Sequence, residues 1–242
     1  MSSFLVIADL HLEAKRPDIT ECFIEFLSQQ KNKQHKALYI LGDLFEVWVG
    51  DDNQDDFTRS IAQAIKQFSQ QTPVYFIHGN RDFLLRQKYA DACGMTLLPE
   101  LHQTTEFDKN IVFMHGDQLC LDDVDYQKFR IKSRSWWWQK LILAMPLSFR
   151  QKMARNYREQ SQSSQMNKSQ EIMDVADRAV KQTIAETQCD WLIHGHTHRP
   201  AIHKLSDDKK RIVVGDWYEQ GSYLELTHEH VKLHSLPLTP DH

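Results

Sequence analysis

Short apolar runs, most of them followed at once by a polar block, constrain the fold of this chain more than any other feature. The runs are FLVIA (4–8), ALYIL (37–41), VYFI (74–77), IVFM (111–114), WLI (191–193) and IVV (212–214). Their length and β-branched content are typical of buried strands. Amphipathic helical stripes lie between several of them, over residues 19–27, 57–68 and 172–184. This alternation predicts an α/β protein with much parallel sheet.

The ends of two of these helices are also marked. Pro17 is expected in the first turn of the first helix, and Ser169 is expected to cap the third. Residues 203–236 lose the helical pattern, so we predict strands there, joined by a polar turn at 206–210.

Residues 123–168 differ from the rest of the chain, because they show no strand pattern and are basic and rich in aromatic side chains. From Lys128 to Arg158 there are nine Lys or Arg and no Asp or Glu, although the whole chain has a formal net charge of −4. Such asymmetry predicts an anionic partner at one face. We expect a helical insertion at 123–168 within one α/β core formed by residues 1–122 and 169–242.

The start of the chain does not have the pattern of a secretory signal. It lacks a basic region, and Asp9 and His11 interrupt the apolar run early. The sequence contains no run of eighteen apolar residues, the length expected of a spanning helix. We therefore expect a protein that stays in the cytoplasm.

The polar blocks after the strands carry the strongest functional signal. They supply Asp9 and His11, then Asp43, then Asn80, then His115, and finally His196 and His198. In open α/β sheets, ligands bind beyond the carboxyl ends of the strands. These oxygen and imidazole donors are too many for one tetrahedral zinc site and suit a pair of Mn²⁺, Fe or Zn²⁺ ions. Asp43 stands alone at its strand end and is the natural carboxylate to bridge such a pair.

The arrangement Asp9-x-His11, Gly42-Asp43, Gly79-Asn80, His115 and Gly195-His196-x-His198 resembles the calcineurin-like metallophosphoesterases over nearly the whole chain. The resemblance implies a four-layer α-β-β-α sandwich of two mixed sheets and two divalent metal ions. One ion would be held by Asp9, His11, Asp43 and His198. The other would be held by Asp43, Asn80, His115 and His196.

Arg81 is a departure from the general pattern of that family, in which a histidine follows the Gly-Asn pair. Imidazole can protonate a leaving alkoxide, whereas guanidinium cannot, but it can grip phosphoryl oxygens with two hydrogen bonds. A leaving phosphate monoester needs no proton, because its second pKa is near 6. We therefore predict a pyrophosphate substrate. The alternative is that Arg81 only pairs with Asp82 or Asp51.

The run SWWWQKLILAMPL at 135–147 has a different significance. Consecutive helical residues point about 100° apart, so Trp136, Trp137 and Trp138 cannot all enter one core. Tryptophan and basic side chains favour membrane interfaces, so the flanking basic residues suit an element on a membrane surface. These residues are Arg130, Lys132, Arg134, Lys140, Arg150, Lys152 and Arg155. The alternatives are a lid packed on the core or a contact with another protein.

A finer resemblance lies in GNRDF (79–83), HGDQLCLDD (115–123), KSQEIMDV (168–175) and IHGHTHRPAIH (193–203). These segments look like the members of the family that hydrolyse UDP-2,3-diacylglucosamine in lipid A synthesis. The resemblance implies water attack on the α-phosphorus, giving UMP and 2,3-diacylglucosamine 1-phosphate. It also implies Mn²⁺ and a peripheral position on the cytoplasmic face of an inner membrane.

The same resemblance implies roles for individual residues. The catalytic group would comprise Asp43, Asn80, Arg81 and His196. Substrate contacts would come from Asn80, Arg81, Asp123, Ser161, Gln165, Lys168 and His196. The acyl chains would be lined or bordered by Trp136, Trp137, Trp138, Leu141 and Leu143.

Two other functions are compatible with this chain. One is hydrolysis of soluble nucleotides by a dinuclear phosphoesterase, against which the Trp-rich insertion argues. The other is a non-catalytic scaffold, against which the full ligand set argues. We expect a monomer that does not bind nucleic acid, because no groove-reading or stacking module accompanies the basic segment.

Overall fold

A computed structural model describes residues 3–167, 174–206 and 208–238, with the backbone alone over 159–167. The first sheet has the strand order β11-β10-β1-β2-β3-β4. Its strands are β1 (Ser3–Ile7), β2 (His35–Ile40), β3 (Val74–Phe76), β4 (Met95–Leu97), β10 (Gln220–Leu226) and β11 (Val231–Pro237). The strands β1 to β4 run parallel, while β10 and β11 pair antiparallel.

The second sheet has the order β5-β6-β7-β9-β8. Its strands are β5 (Leu101–Glu106), β6 (Lys109–Met114), β7 (Trp191–His194), β8 (Ala201–Lys204) and β9 (Lys210–Val213). Here β6, β7 and β9 are parallel, and the two edge strands are antiparallel. Both sheets are therefore mixed, as predicted.

The alternating side chains of β1 show how the layers stack. Phe4 and Val6 point into the core between the two sheets, where Tyr39 stacks on Phe113 with ring centroids 4.2 Å apart. Leu5 and Ile7 point the other way. That outer face is covered by α1 (Pro17–Gln30), α2 (Asp56–Ser69) and α3 (Gln87–Cys93).

On the far side, α7 (Asp177–Thr187) covers the second sheet through Ala179 and Val180, which pack with Met114 and Leu192. The order helix, sheet, sheet, helix is the predicted four-layer sandwich. The start of α7 was predicted wrongly, because Val175 precedes the helix and Ala176 is its N-cap. Ser169 and Ile172 lie outside the described residues.

Three helices follow β6 and a short 3₁₀ turn: α4 (Val124–Arg134), α5 (Trp136–Leu143) and α6 (Leu147–Asn167). The segment is helical, as its pattern predicted. Helix α5 ends shortly before Pro146, which cannot continue a helix. Among the described residues, no helix is both long and apolar enough to cross a membrane.

Candidate metal centre

The predicted ligands follow β1, β2 and β3 in the first sheet and β6 and β7 in the second. Backbone pairing beyond the strand ends aligns the ligands of the first sheet. The N–H of Asp9 donates to the carbonyl of Gly42 at 3.1 Å, and the N–H of His11 donates to that of Asp43 at 2.9 Å. The register between β1 and β2 is thus continued past both strands. Asp9, His11 and Asp43 are held side by side by main-chain hydrogen bonds.

Several of these ligands have an unusual backbone conformation. The angle φ is positive at Asp9 (53°), His11 (49°), Asp43 (52°), His196 (70°) and His198 (55°). Residues other than glycine rarely adopt this left-handed backbone region. Each one that does lowers the stability of the fold by an amount of order 1–3 kcal/mol. Five of the nine described non-glycine residues with positive φ belong to the predicted ligand set, which suggests that this backbone shape directs their side chains to the site.

The first group of donors comprises Asp9, His11 and His198, whose ligand atoms all lie within 4.8 Å of one another. Nε2 of His198 is 3.8 Å from Oδ1 of Asp9. Each imidazole also faces an outer carboxylate through Nδ1: His11 faces Glu46 at 2.8 Å and His198 faces Asp216 at 3.3 Å. Outer carboxylates of this kind fix the ring orientation of metal-binding histidines.

The second group surrounds His115. Its Nδ1 lies 2.8 Å from the carbonyl oxygen of Leu41, which can only accept, so the proton must be on Nδ1. Nε2 lies 2.9 Å from the amide oxygen of Asn80 and 3.8 Å from Oδ2 of Asp43. Burial lowers the pKa of His115, but Asp43 and Asp9 outweigh burial and raise it, so without an ion Nε2 can hold a proton and donate to Asn80. A divalent cation would take the place of that proton, with the imidazole, the amide oxygen and Asp43 around it.

Asp43 lies between the two groups, as expected of a bridging carboxylate. Its Oδ2 is 3.8 Å from Nε2 of His11 and 3.8 Å from Nε2 of His115. Its Oδ1 accepts the backbone N–H of Arg81 at 2.8 Å. One carboxylate oxygen therefore faces both imidazoles while the other is tied to the protein.

His196 completes the set. Its backbone N–H donates to Oδ2 of Asp9 at 2.7 Å, and its ring centroid is 4.9 Å from that of His115. Burial, with the charge of His115, lowers the pKa of His196 to about 3. The imidazole is therefore neutral near pH 7, the form in which histidine binds metals.

These residues fit divalent cations. Oδ1 of Asp9 and Nε2 of His11 are buried, and neither has a hydrogen-bond partner within residues 3–167, 174–206 and 208–238 as described. Burial raises the pKa of Asp9, whereas Asp216 and Asp9 outweigh the effect of burial on His198 and raise its pKa to about 9. A divalent ion would neutralise the buried carboxylates and use the free lone pairs.

A cavity of about 830 Å³ extends from this centre to the space beneath α4, α5 and α6. Its polar end includes His11, Asp43, Asn80, Arg81 and His196. Its other end is apolar and is lined by Val47, Trp48, Phe83, Leu84, Phe129, Trp138, Ile142 and Met153. The cavity can therefore hold a molecule with an anionic part and a long apolar part.

Comparison with known proteins places this chain in a family. Residues 2–200 match the calcineurin-like phosphoesterase family. The chain belongs to the calcineurin-like phosphoesterases. The phosphoesterase is 51% identical over 233 residues to the UDP-2,3-diacylglucosamine hydrolase of Shewanella pealeana, covering 96% of this chain and 98% of the relative. It is 47% identical over 237 residues to the protein of that name from Escherichia coli O7:K1, again with 96% and 98% covered.

Solved structures show the same fold at low sequence identity. An archaeal phosphodiesterase superimposes with a TM-score of 0.52 at 13% identity, covering 97% of this chain and 99% of that one. Vacuolar protein sorting 29 from Cryptosporidium parvum gives 0.51 at 13% identity, covering 97% and 96%. The phosphoesterase fold predicted from the sequence is thus confirmed.

Arg81 does not make the ion pairs proposed as its alternative role. Asp82 accepts the backbone N–H groups of Gly79 and Leu44, and Asp51 accepts those of Arg86 and Tyr89. Nε of Arg81 is buried and has no hydrogen-bond partner in the part of the chain that the structure describes. The side chain of Arg81 lines the cavity beside the metal centre.

The other predicted substrate contacts are only partly described. Asp123 lines the cavity, and its carboxylate caps α4 by accepting the N–H of Tyr126 at 3.2 Å. Ser161 and Gln165 lie on α6, but their side chains are outside the described part of the structure. Lys168 lies outside the described residues altogether.

The tryptophan run divides between the inside and the outside of the phosphoesterase. Trp138 is 9% exposed and lines the apolar end of the cavity, whereas Trp136 is 75% exposed and Trp137 51%. Leu141 is also exposed, and Leu143 packs on the core. Of the residues predicted at the acyl chamber, Trp138 therefore lines the cavity.

Three of the basic residues predicted for a membrane surface point inwards instead. Arg130 and Arg134 pair with Asp117 and Glu100, and Arg150 is buried against Asp52 at 2.8 Å. Burial would raise the pKa of Asp117, but His115, Arg134 and Arg130 hold it well below its usual range. These arginines fix the helices to the core, which the charge pattern alone did not indicate.

Sequence analysis missed the residues that orient the ligands: Glu46, Asp82 and Asp216. Asp82 lies within the segment GNRDF and could have been suspected from that position. Glu46 follows Asp43, and Asp216 follows the last parallel strand of the second sheet. Neither lies at a spacing that would mark it as a functional residue. Their role depends on how closely the two loops that carry them approach the metal ligands in the folded protein.

Proposed function

We propose that this phosphoesterase hydrolyses the pyrophosphate bond of UDP-2,3-diacylglucosamine. The products are UMP and 2,3-diacylglucosamine 1-phosphate, and the reaction belongs to lipid A biosynthesis. The single observation that supports this most is the cavity that joins the metal centre to the apolar chamber under α4–α6. The name carried by the relatives supports the same substrate.

The side chains at the two ends of the cavity suggest how the substrate lies. The acyl chains occupy the apolar end beside Trp138, Ile142 and Met153, and the pyrophosphate lies near Asn80 and Arg81. A soluble nucleotide would leave the apolar end filled with water. Burial of acyl chains is favourable by about 0.8 kcal/mol per CH₂ group.

The chemical step is the attack of water on the α-phosphorus, in line with the bridging oxygen. The bond between the α-phosphorus and that oxygen breaks, and the oxygen leaves with the sugar phosphate. The water oxygen remains on UMP, and its proton is released. Two divalent ions held by the ligand residues would supply charge stabilisation and an activated nucleophile.

Arg81 stabilises the phosphoryl oxygens in this step. Its backbone N–H donates to Asp43, and its buried Nε has no hydrogen-bond partner among the described residues. A substrate phosphate fits that place, because guanidinium and phosphate form two parallel hydrogen bonds. The leaving sugar phosphate needs no proton donor, which agrees with an arginine where other phosphoesterases have histidine.

The native metal in this proposal is Mn²⁺, bound as two ions per chain. The mixture of carboxylate, amide and imidazole donors without thiolate supports this choice. Calorimetric titration of metal-stripped protein with Mn²⁺ tests it, and we expect two equivalents. Binding of less than one equivalent would instead favour a non-catalytic scaffold.

The decisive experiment follows the reaction by ³¹P NMR in ¹⁸O-labelled water. We expect detergent-dispersed UDP-2,3-diacylglucosamine to be cleaved with ¹⁸O appearing in UMP alone. UDP-N-acetylglucosamine, which carries one acetyl group and no long acyl chain, is the matched control and should be cleaved much more slowly. Equal cleavage of both compounds would favour the soluble-nucleotide hydrolase, and ¹⁸O in the sugar phosphate would contradict attack at the α-phosphorus.

We further propose a peripheral position on the cytoplasmic face of the inner membrane. Trp136, Trp137 and Leu141 are exposed on α5, and Lys132 and Lys140 are exposed close to them in the sequence. Aromatic and basic side chains together suit the surface of an anionic bilayer.

Flotation with vesicles of phosphatidylethanolamine and phosphatidylglycerol tests this location. Replacing Trp136 and Trp137 by Ser should release the protein from the vesicles. Tyr218→Ser, which changes another exposed aromatic residue outside the insertion, should not. Failure of the wild-type protein to float would contradict the membrane assignment without touching the reaction.

A further inference from the structure

Asp82 is a fully buried carboxylate that the reaction does not use directly. Its Oδ1 accepts the backbone N–H of Gly79 at 2.8 Å, and its Oδ2 accepts that of Leu44 at 2.8 Å. Gly79 directly precedes Asn80, and Leu44 directly follows Asp43. One side chain therefore joins the two loops that carry these ligands.

In the part of the chain that the structure describes, the contacts of Asp82 indicate no function other than joining these two loops. Where the same loops carry the ligands, the backbone N–H of Arg81 donates to the carboxylate of Asp43. Nδ1 of His115 donates to the carbonyl oxygen of Leu41. Gly79 itself has no room for a side chain, since an added Cβ would lie 2.1 Å from Oδ1 of Asp43. The two loops thus meet at close range, and their separation depends on the atoms that link them.

Asp82 links these loops through groups that stand next to the ligands themselves. The two N–H groups that it accepts belong to the residues directly beside Asn80 and Asp43. Hydrogen bonds to an ionised acceptor are shorter and stronger than those between neutral groups. A change at Asp82 should therefore shift both ligands without removing either of them.

We propose that Asp82 is a positioning residue that sets the spacing between Asp43 and Asn80 and so prepares the binding place of one of the two ions. That ion is the one shared by Asp43, Asn80, His115 and His196. The place formed by Asp9, His11 and His198 makes no contact with Asp82 among the described residues. The inference rests on the proposed metal-dependent hydrolysis.

Asp82→Asn tests the proposal. An amide has one acceptor oxygen, so it can accept one of the two N–H groups while its own NH₂ faces the other. In calorimetric titration of metal-stripped protein with Mn²⁺, we expect one equivalent to bind as in the wild type. The second should bind about 10–100-fold more weakly, the usual effect of losing a group that supports a metal ligand. The value of kcat should fall with little change in KM.

Asp51→Asn is the matched control. Asp51 is also a buried carboxylate that accepts two backbone N–H groups, those of Arg86 and Tyr89, and the indole N–H of Trp48. None of these partners is a proposed metal ligand. This variant should lose thermal stability and keep both Mn²⁺ equivalents at wild-type affinity. If it weakened the second equivalent as Asp82→Asn does, general destabilisation would explain both results and the proposal would be wrong.

Asp82→Glu separates spacing from charge and serves also if Asp82→Asn does not fold. It keeps the negative charge and both acceptor oxygens but adds one methylene group. We expect the same loss of the second equivalent, because the loops are displaced. Wild-type Mn²⁺ binding by this variant or by Asp82→Asn would overturn the proposal. Absence of two equivalents in the wild type would instead overturn the proposed function.

Discussion

A carboxylate oxygen of Glu46 lies 2.8 Å from Nδ1 of His11, and the opposite nitrogen of that ring faces Asp43 at 3.8 Å. The pKa of His11 is raised: burial lowers it, but Glu46 and the other carboxylates outweigh burial. The position of Glu46 at Nδ1 leaves Nε2 as the nitrogen that faces Asp43 and would bind a metal ion. The metal centre therefore includes supporting residues beyond the ligands, and these residues are not part of any ligand motif in the sequence.

Replacing Glu46 by Ala should weaken metal binding without unfolding the protein. The His11 ring loses the group that orients it, and supporting carboxylates of this kind are worth about 10–100-fold in affinity. Calorimetric titration with Mn²⁺ measures the change. Glu25→Ala, on the exposed side of α1, should bind Mn²⁺ as the wild type does. An unchanged affinity in Glu46→Ala would show that His11 is oriented by other means.

Replacing Arg81 by Ala should lower kcat by about 10²–10³, the effect of removing one preorganised electrostatic donor. Metal content should be unchanged, because the backbone N–H that binds Asp43 remains. Steady-state kinetics with the diacylated substrate measure the effect. Arg81→Lys should recover little of the rate, since an ammonium group cannot bind a phosphate through two parallel hydrogen bonds. Near-normal turnover by Arg81→Ala would refute the assigned role.

Gly195→Ala should abolish binding at the Asp9 side of the centre. A Cβ at this position would lie 2.4 Å from Oδ2 of Asp9 and 2.6 Å from the Cβ of Ala8. Gly221→Ala is a milder control, because its nearest neighbours would be Sγ of Cys22 and Cβ of Leu236, both at 3.0 Å. We expect it to lose some stability and to keep its metal, as measured by thermal unfolding and by metal analysis. Full metal occupancy in Gly195→Ala would contradict the crowding argument.

Trp138→Ala should impair hydrolysis of the acylated substrate, because this side chain lines the apolar end of the cavity. A loss of about tenfold in kcat/KM corresponds to roughly 1.4 kcal/mol of transition-state binding. Trp136→Ala, which changes an exposed residue two positions away, should retain the rate in detergent. The same loss in both variants would place the acyl chains elsewhere.

Acid should destabilise the protein through His194. This residue is fully buried, and burial lowers its pKa to about 4, whereas the unfolded value is about 6.5. Between these values the unfolded state binds the proton more tightly, so the free energy of unfolding falls as the pH is lowered. The slope for this one group is at most about 1.4 kcal/mol per pH unit.

His194→Asn isolates that effect from other titrating groups. Urea unfolding in the presence of a chelator, at several values between pH 7 and 4, should show the wild type losing stability relative to the variant. Asparagine can still donate to the carbonyl of Gly195, which accepts from Nδ1 of His194 at 2.8 Å. A difference that does not change with pH would mean that His194 is not buried in its neutral form.

Much of the metal centre was predictable, because the pattern that marks a strand involves residues that are close together in the sequence. Asp9, Asp43 and His115 each follow a run of residues whose pattern marks a buried strand. Asp9 and Asp43 follow parallel strands of the first sheet, which end at the same edge, whereas His115 follows a strand of the second sheet and reaches them only because the two sheets pack together. The helix beginning at Asp177 was placed too early, since apolar spacing continued past its true start. The inward position of Arg130 and Arg150 was missed because charge patterning does not tell which face of a helix meets the core.

The sequence by itself determined the order of strands and helices and the chemical types of the ligands, because both depend on residues close together in the chain. The tertiary structure alone decided which nitrogen of His11 and His115 faces the centre, which tryptophan enters the cavity, and which carboxylates support the ligands. These depend on contacts between distant segments, such as Asp82 with Leu44 and Glu46 with His11. Such contacts are fixed when the sheets and helices pack, and no local pattern encodes them.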